Sequence, residues 1–212
     1  MKNGKEKFHR TDNDICCHDK EYQILVRLYA CPGEFIHGQY WALYELSHWL
    51  DDYQMFPALR PSIDHLLHHH LGWKWHTQAA EMSPCQRQWI TWIPKLPVML
   101  TALGLISLNS IDYFLLGDYR RVLINLLGEV TVNQLFSLWH GENAAPTVAA
   151  HELPAVSFSL GLQIFSQIVG DDWICNIIMH TLPPIEYSDV EQLRQNELDD
   201  INSMLARIGR FI

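Results

Sequence analysis

Apolar residues recur every three or four positions through most of the chain, the spacing of a helix with one buried face. The pattern is cleanest near the C-terminus, where Val190, Leu193, Leu198, Ile201, Leu205 and Ile208 fall on one side. Glu191, Glu197, Asp199 and Asp200 fall on the other. Ser188 and Glu191 have the spacing of a capping box, so an amphipathic helix is expected at about 188–209. Ser83, Pro84 and Gln86 give a second helix start, followed by a stripe of Cys85, Trp89, Trp92 and Ile93 that Pro94 ends or kinks. Pro97 opens another helix through Leu100, Leu103, Gly104 and Leu108, in which Gly104 either admits a second backbone or weakens the helix.

Asp118 is placed to cap a helix running to Leu127, with Gly128 as its stop. Thr131 and Gln134 repeat the capping-box spacing, and 141–154 reads as a connection. Leu160, Ile164, Phe165 and Ile168 space as a helix, and Asp171 or Asp172 opens one more before Pro183. Earlier in the chain, Tyr22–Tyr29 fits strand or helix. Phe35–Leu50 is expected as one helix closed by Asp51 and Asp52, although negative charge opposes the dipole at a helix C-terminus. Ser62 is expected to cap a helix that Gly72 stops. The sum is an all-α fold of about eight helices, irregular and not a simple four-helix bundle. Residues 1–20 are expected as a flexible polar segment, and 21–212 as a single helical domain.

Composition narrows the partners. The chain has 212 residues and a formal net charge of −9, from 15 Lys plus Arg against 24 Asp plus Glu. That excludes a basic nucleic-acid footprint and disfavours anionic membrane surfaces. It suits docking on basic protein surfaces. Only 18% of residues are charged, yet there are 8 Trp, 8 Tyr and 8 Phe, which implies a thick core or apolar surface kept for partners. The charge-free run at 96–111 is short of the ~20 residues a membrane span requires, and the run at 153–170 carries several Ser and Gln. No membrane insertion and no signal peptide are expected. Five cysteines without a Cys-x-x-Cys pair suggest reduced thiols.

Candidate chemistry is sparse. His65 and His69 are four apart and can face one ion from one helix, so a helical metal-dependent enzyme is the alternative reading. The His-Glu-x-x-His spelling is absent, and the other ligands would have to come from distant residues. No nucleophile elbow, Walker loop or dinucleotide loop occurs, and adjacent pairs such as Asp171 and Asp172 diverge on a helix. No catalytic, cofactor or metal residue is therefore assigned. The residues singled out are interface candidates. Trp73 and Trp75 flank Lys74 after Gly72 as surface anchors; Arg120 and Arg121 form a basic spot; Glu197 and Asp200 represent the acidic face of the last helix.

The stretch Pro32-Gly33-Glu34-Phe35-Ile36-His37 resembles the Pro-x-x-aromatic-aliphatic-His segment of the K-component family of bacterial type III secretion systems. The resemblance continues through Trp49, Leu66-Leu67 and Leu71-Gly72-Trp73. It is strongest in Leu96-Pro97, Leu103-Gly104-Leu105, Leu116-Gly117-Asp118-Tyr119-Arg120-Arg121 and Leu127-Gly128. It spans roughly Tyr29 to Gly141, and the order of the elements carries it. The resemblance implies an all-helical, non-enzymatic adaptor of the sorting platform on the cytoplasmic face of the inner membrane. Its implied partners are the cytoplasmic domain of the inner-membrane ring protein and the pod protein, with the ATPase regulator nearby. It transfers no catalytic motif and no cofactor.

Overall fold

The computed structural model describes residues 19–75, 82–141, 144–185 and 193–212. Among the described residues the fold is all-α without strands, and nine helices have seven residues or more. These are α1 (Lys20–Ala30), α2 (Arg60–Leu71), α3 (Pro84–Trp92), α4 (Leu96–Ser107), α5 (Gly117–Leu127), α6 (Glu129–Leu138), α7 (Leu153–Val169), α8 (Trp173–Met179) and α9 (Gln195–Ile208). The chain divides into two compact units, Met1–Thr91 and Trp92–Ile212.

In the first unit Tyr22–Tyr29 is helical. Asp19 caps α1, its Oδ1 accepting from the Glu21 N–H at 3.2 Å, while its other oxygen pairs with Arg87. The single helix expected over Phe35–Leu50 is broken into turns at Pro32–Phe35, Gly38–Leu43 and Ser47–Trp49. Two local features break it. Ile36 and His37 are extended, and His37 Nδ1 accepts from the Gln39 N–H to cap the next turn. Glu45 then takes a left-handed backbone at φ +60°, which no right-handed helix can pass. Asp51 and Asp52 consequently begin a helix, Leu50–Met55, instead of ending one, and their charge now suits the dipole. α2 starts at Arg60 with Pro61 in its first turn, so Ser62 is not its cap; Gly72 ends it at φ +63°. The core of the unit is Ile36, Trp41, Leu46, Tyr53, Ile63 and Leu67. Trp41 meets Tyr53 edge-on at 5.5 Å, a pair worth about 1 kcal/mol beyond its burial.

The second unit is organised on α4. Leu96, Met99, Leu100, Ala102, Leu103 and Leu105 are all fully buried, and a helix apolar on every side belongs in a core. The helical run Pro84–Ser107 passes a length-and-composition test for a membrane span, but 61% of its most apolar window is buried within the chain, as in a core helix. α7 crosses α4 at main-chain contact. A Cβ on Gly104 would lie 1.8 Å from the Ser157 carbonyl oxygen, and one on Gly161 would lie 1.9 Å from that of Leu100. Close approach is thus the role of Gly104, with Gly161 as its counterpart.

Other helix ends are set locally. Asp172 caps α8 by accepting from the Ile174 and Cys175 N–H groups, both at 3.0 Å. α6 begins at Glu129 directly after Gly128, whose φ is +81°, so Thr131 lies inside the helix and caps nothing. Asp118 is the second residue of α5 and Leu116 is the cap. α9 starts at Gln195; Ser188 and Glu191 lie outside the described residues. Its first turn closes when the Arg194 N–H donates to Glu197 Oε2 at 2.7 Å. Leu205 and Ile208 bury the inner face of α9, which packs on α4 and α7. Gly209 comes so close to Trp92 that a Cβ would sit 2.5 Å from the indole, and Lys95 Nζ donates to the Gly209 carbonyl at 2.9 Å.

Candidate protein interface

The turn after α2 carries the two tryptophans. Gly72 reverses the chain, and Trp73 lies back over α1, stacked on Tyr29 at 6.2 Å. Trp75 meets Tyr29 edge-on at 4.9 Å and Tyr22 at 6.5 Å. The two therefore differ. Trp73 packs against the core of the first unit, whereas Trp75 keeps 36% of its surface exposed. Tyr22 and Tyr29 are seven residues apart, two helical turns, so both reach the same side of α1. Spacing alone does not single them out, because the segment fits strand or helix until Asp19 caps it.

His68 sits beneath this cluster, 4.7 Å from the Tyr29 ring and 5.9 Å from Trp73. Burial pushes its pKa below the ordinary histidine value, against a hydrogen bond with the Tyr29 main chain and the nearby Asp64. His65, His69 and His70 are exposed on α2. Among the described residues no group of three or more His, Cys, Asp and Glu side chains is arranged to hold a metal. His76 lies outside the described residues.

Asp64 fixes the platform from below. It is 5% exposed; its Oδ1 accepts from the Gly33 N–H at 2.9 Å and from the Tyr53 hydroxyl at 3.0 Å. Burial raises its pKa despite these two donors, and burial with the adjacent Asp64 raises that of Tyr53. A Cβ on Gly33 would meet the Tyr53 ring at 2.6 Å. Glu34 pairs with Arg27 at 2.8 Å and with Arg60 at 3.6 Å. The segment Pro32–His37 is thus a bolt: Pro32 starts a turn, Gly33 ties it to α2, Glu34 ties it to α1 and α2, and His37 caps the Gly38–Leu43 turn.

The second unit separates Arg120 from Arg121. The Arg120 guanidinium donates to Asn133 Oδ1 at 2.9 Å and to the Phe114 carbonyl at 3.4 Å, and lies 3.7 Å from Glu129. It clamps α5 to α6. Arg121 is 76% exposed and faces Asp118, at 3.7 Å. Glu197 and Asp200 are exposed on α9, with Glu197 also serving as the cap described above. An apolar groove of about 450 Å³ opens between the start of α4, the end of α5 and the start of α7, lined by Pro97, Val98, Leu127 and Phe158 among others. A second, of about 500 Å³, flanks α7 at Val156 and Leu160. Neither is lined by an ionisable side chain. Among the described residues the geometry offers aromatic and charged surface on hydrogen-bonded supports.

Compared with known proteins, the chain matches the model of a family described as a type III secretion system subunit, over residues 23–184. No curated protein and no solved structure matches.

Proposed function

This chain belongs to the type III secretion system subunit family, and we propose that its part in that apparatus is an adaptor's. In this reading it is a K-component of the sorting platform. It sits peripherally on the cytoplasmic face of the inner membrane and links the cytoplasmic domain of the ring protein to the pod protein, near the ATPase regulator. It performs no catalysis. The observation that carries the reading is the family match over 23–184, which includes both the Pro32–His37 bolt and the Trp73 turn. The exposed edge of Trp75, the exposed Arg121 and the exposed carboxylates of Glu197 and Asp200 near the start of α9 support it as contact surfaces, since aromatics and Arg dominate interface energies. Among the described residues no third metal-ligating side chain stands with His65 and His69.

Co-purification tests the contacts. Full-length chain recovered from cells with an intact apparatus is expected to retain ring and pod proteins. The exposed-edge variant Trp75→Ala is expected to weaken one of these links by at least tenfold, and Glu197→Lys with Asp200→Lys to weaken the other. Recovery of neither protein with the wild-type chain would contradict the adaptor reading.

A further inference from the structure

We infer that the turn between the Leu50–Met55 helix and α2 is a preformed apolar knuckle that seats in a basic-rimmed apolar pocket of a partner protein. Residues 55–59 are Met-Phe-Pro-Ala-Leu, and all five are exposed. Met55 is 68% exposed, Phe56 48% and Leu59 39%; Leu66, two turns further along the same side of α2, is 42% exposed. Soluble surfaces scatter single apolar residues, whereas an unbroken exposed run of this length marks function.

The knuckle is rigid. The Leu59 N–H donates to the Phe56 carbonyl at 2.9 Å, and the Arg60 N–H to that of Pro57 at 3.4 Å. The Arg60 side chain then staples the preceding helix, its Nε donating to the Tyr53 carbonyl at 3.0 Å and its Nη2 to that of Gln54 at 3.3 Å. A convex apolar surface held this way enters a pocket with little ordering cost.

Charge identifies the kind of pocket. Asp51 and Asp52 lie one helical turn before Met55 and Phe56, and neither forms an ion pair among the described residues. Arg60, the cation of this turn, is already engaged with Glu34 and the main chain. The complement is therefore apolar at its centre and carries Lys or Arg at its rim. An anionic bilayer would be repelled by the same carboxylates. A second copy docked symmetrically would set the acidic pair against itself.

The inference rests on the adaptor reading only in expecting the partner within the secretion apparatus. The test places a photo-crosslinking benzoylphenylalanine at position 56 of the full chain in cells with an intact apparatus, with a second strain carrying it at position 75. The expected product at 56 is a crosslink to an apparatus protein, mapped to an apolar pocket bordered by Lys or Arg. Its yield falls at least fivefold with Asp51→Asn plus Asp52→Asn, and likewise with Leu59→Ser, while circular dichroism still shows a folded helical chain. A crosslink only to a second copy or to lipid, none at all, or a yield indifferent to the Asp51 and Asp52 changes would overturn the inference. Capture from 75 but not from 56 leaves the adaptor reading and removes the knuckle. Capture from 56 of a basic-rimmed pocket on a protein outside the apparatus does the reverse.

Discussion

Asp64 shows how one side chain holds several segments. Its carboxylate takes a main-chain donor from the Pro32–Phe35 turn and a phenol from the Leu50–Met55 helix, while it belongs to α2. Asp64→Ala leaves the buried Tyr53 hydroxyl and the part-buried Gly33 N–H without their acceptor and is expected to cost about 2–3 kcal/mol in urea unfolding. Asp64→Asn keeps an acceptor oxygen for both and removes the charge. Because burial raises the folded-state pKa of Asp64, the folded chain binds its proton more readily than the unfolded chain does. The favourable contribution is present below the ordinary Asp value of about 4 and is lost as pH rises through the higher folded value. The wild type should therefore lose stability relative to Asp64→Asn as pH rises above about 4, and run parallel to it once the folded carboxyl has ionised. Urea titrations at several pH values measure this, and a wild type that gains on the Asn variant as pH rises would contradict it.

At the scale of elements, the contact of α4 with α7 is the joint on which the second unit depends. Gly104→Ala drives a methyl group into the Ser157 carbonyl, where backbone and not a flexible side chain must yield. Overpacking of this kind is expected to cost about 3 kcal/mol or more, read as a lowered midpoint in urea with an unchanged slope. Gly117→Ala is the control, because its Cβ would meet nothing within 4 Å. The sequence points to the Ser83–Gln86 capping box and to Asp171 or Asp172 as a cap, since each is a local rule acting over three or four residues, and it leaves Gly104 as either a close approach or a weak point. It does not show Gly161 as the counterpart, because that pairing is between helices more than fifty positions apart. The Phe35–Leu50 segment departs from the single helix its spacing predicts for a related reason. Its apolar pattern suits a helix, but the Gly33–Asp64 bond fixes where the turn begins and Glu45 interrupts it, and neither is a periodic signal. Likewise Arg120 and Arg121 look equivalent in sequence, and only the position of α6 assigns one to a clamp and leaves the other exposed.

The whole molecule is an acidic member of a type III secretion subunit family, all-α among its described residues, with an aromatic cluster braced on buried polar ties. Trp73 and Trp75 are legible as candidates because they come just after a helix-stopping glycine, but their division into a packed and an exposed partner depends on Tyr22, Tyr29 and His68. In the proposed adaptor role this chain joins the membrane ring to the pod. That role is tested most directly by fractionating membranes from cells with and without the chain and measuring how much pod protein sediments with the ring protein. The adaptor account predicts that pod protein leaves the ring fraction when the chain is deleted and returns when it is supplied in trans. Pod protein that stays with the ring in equal amount without the chain would contradict it.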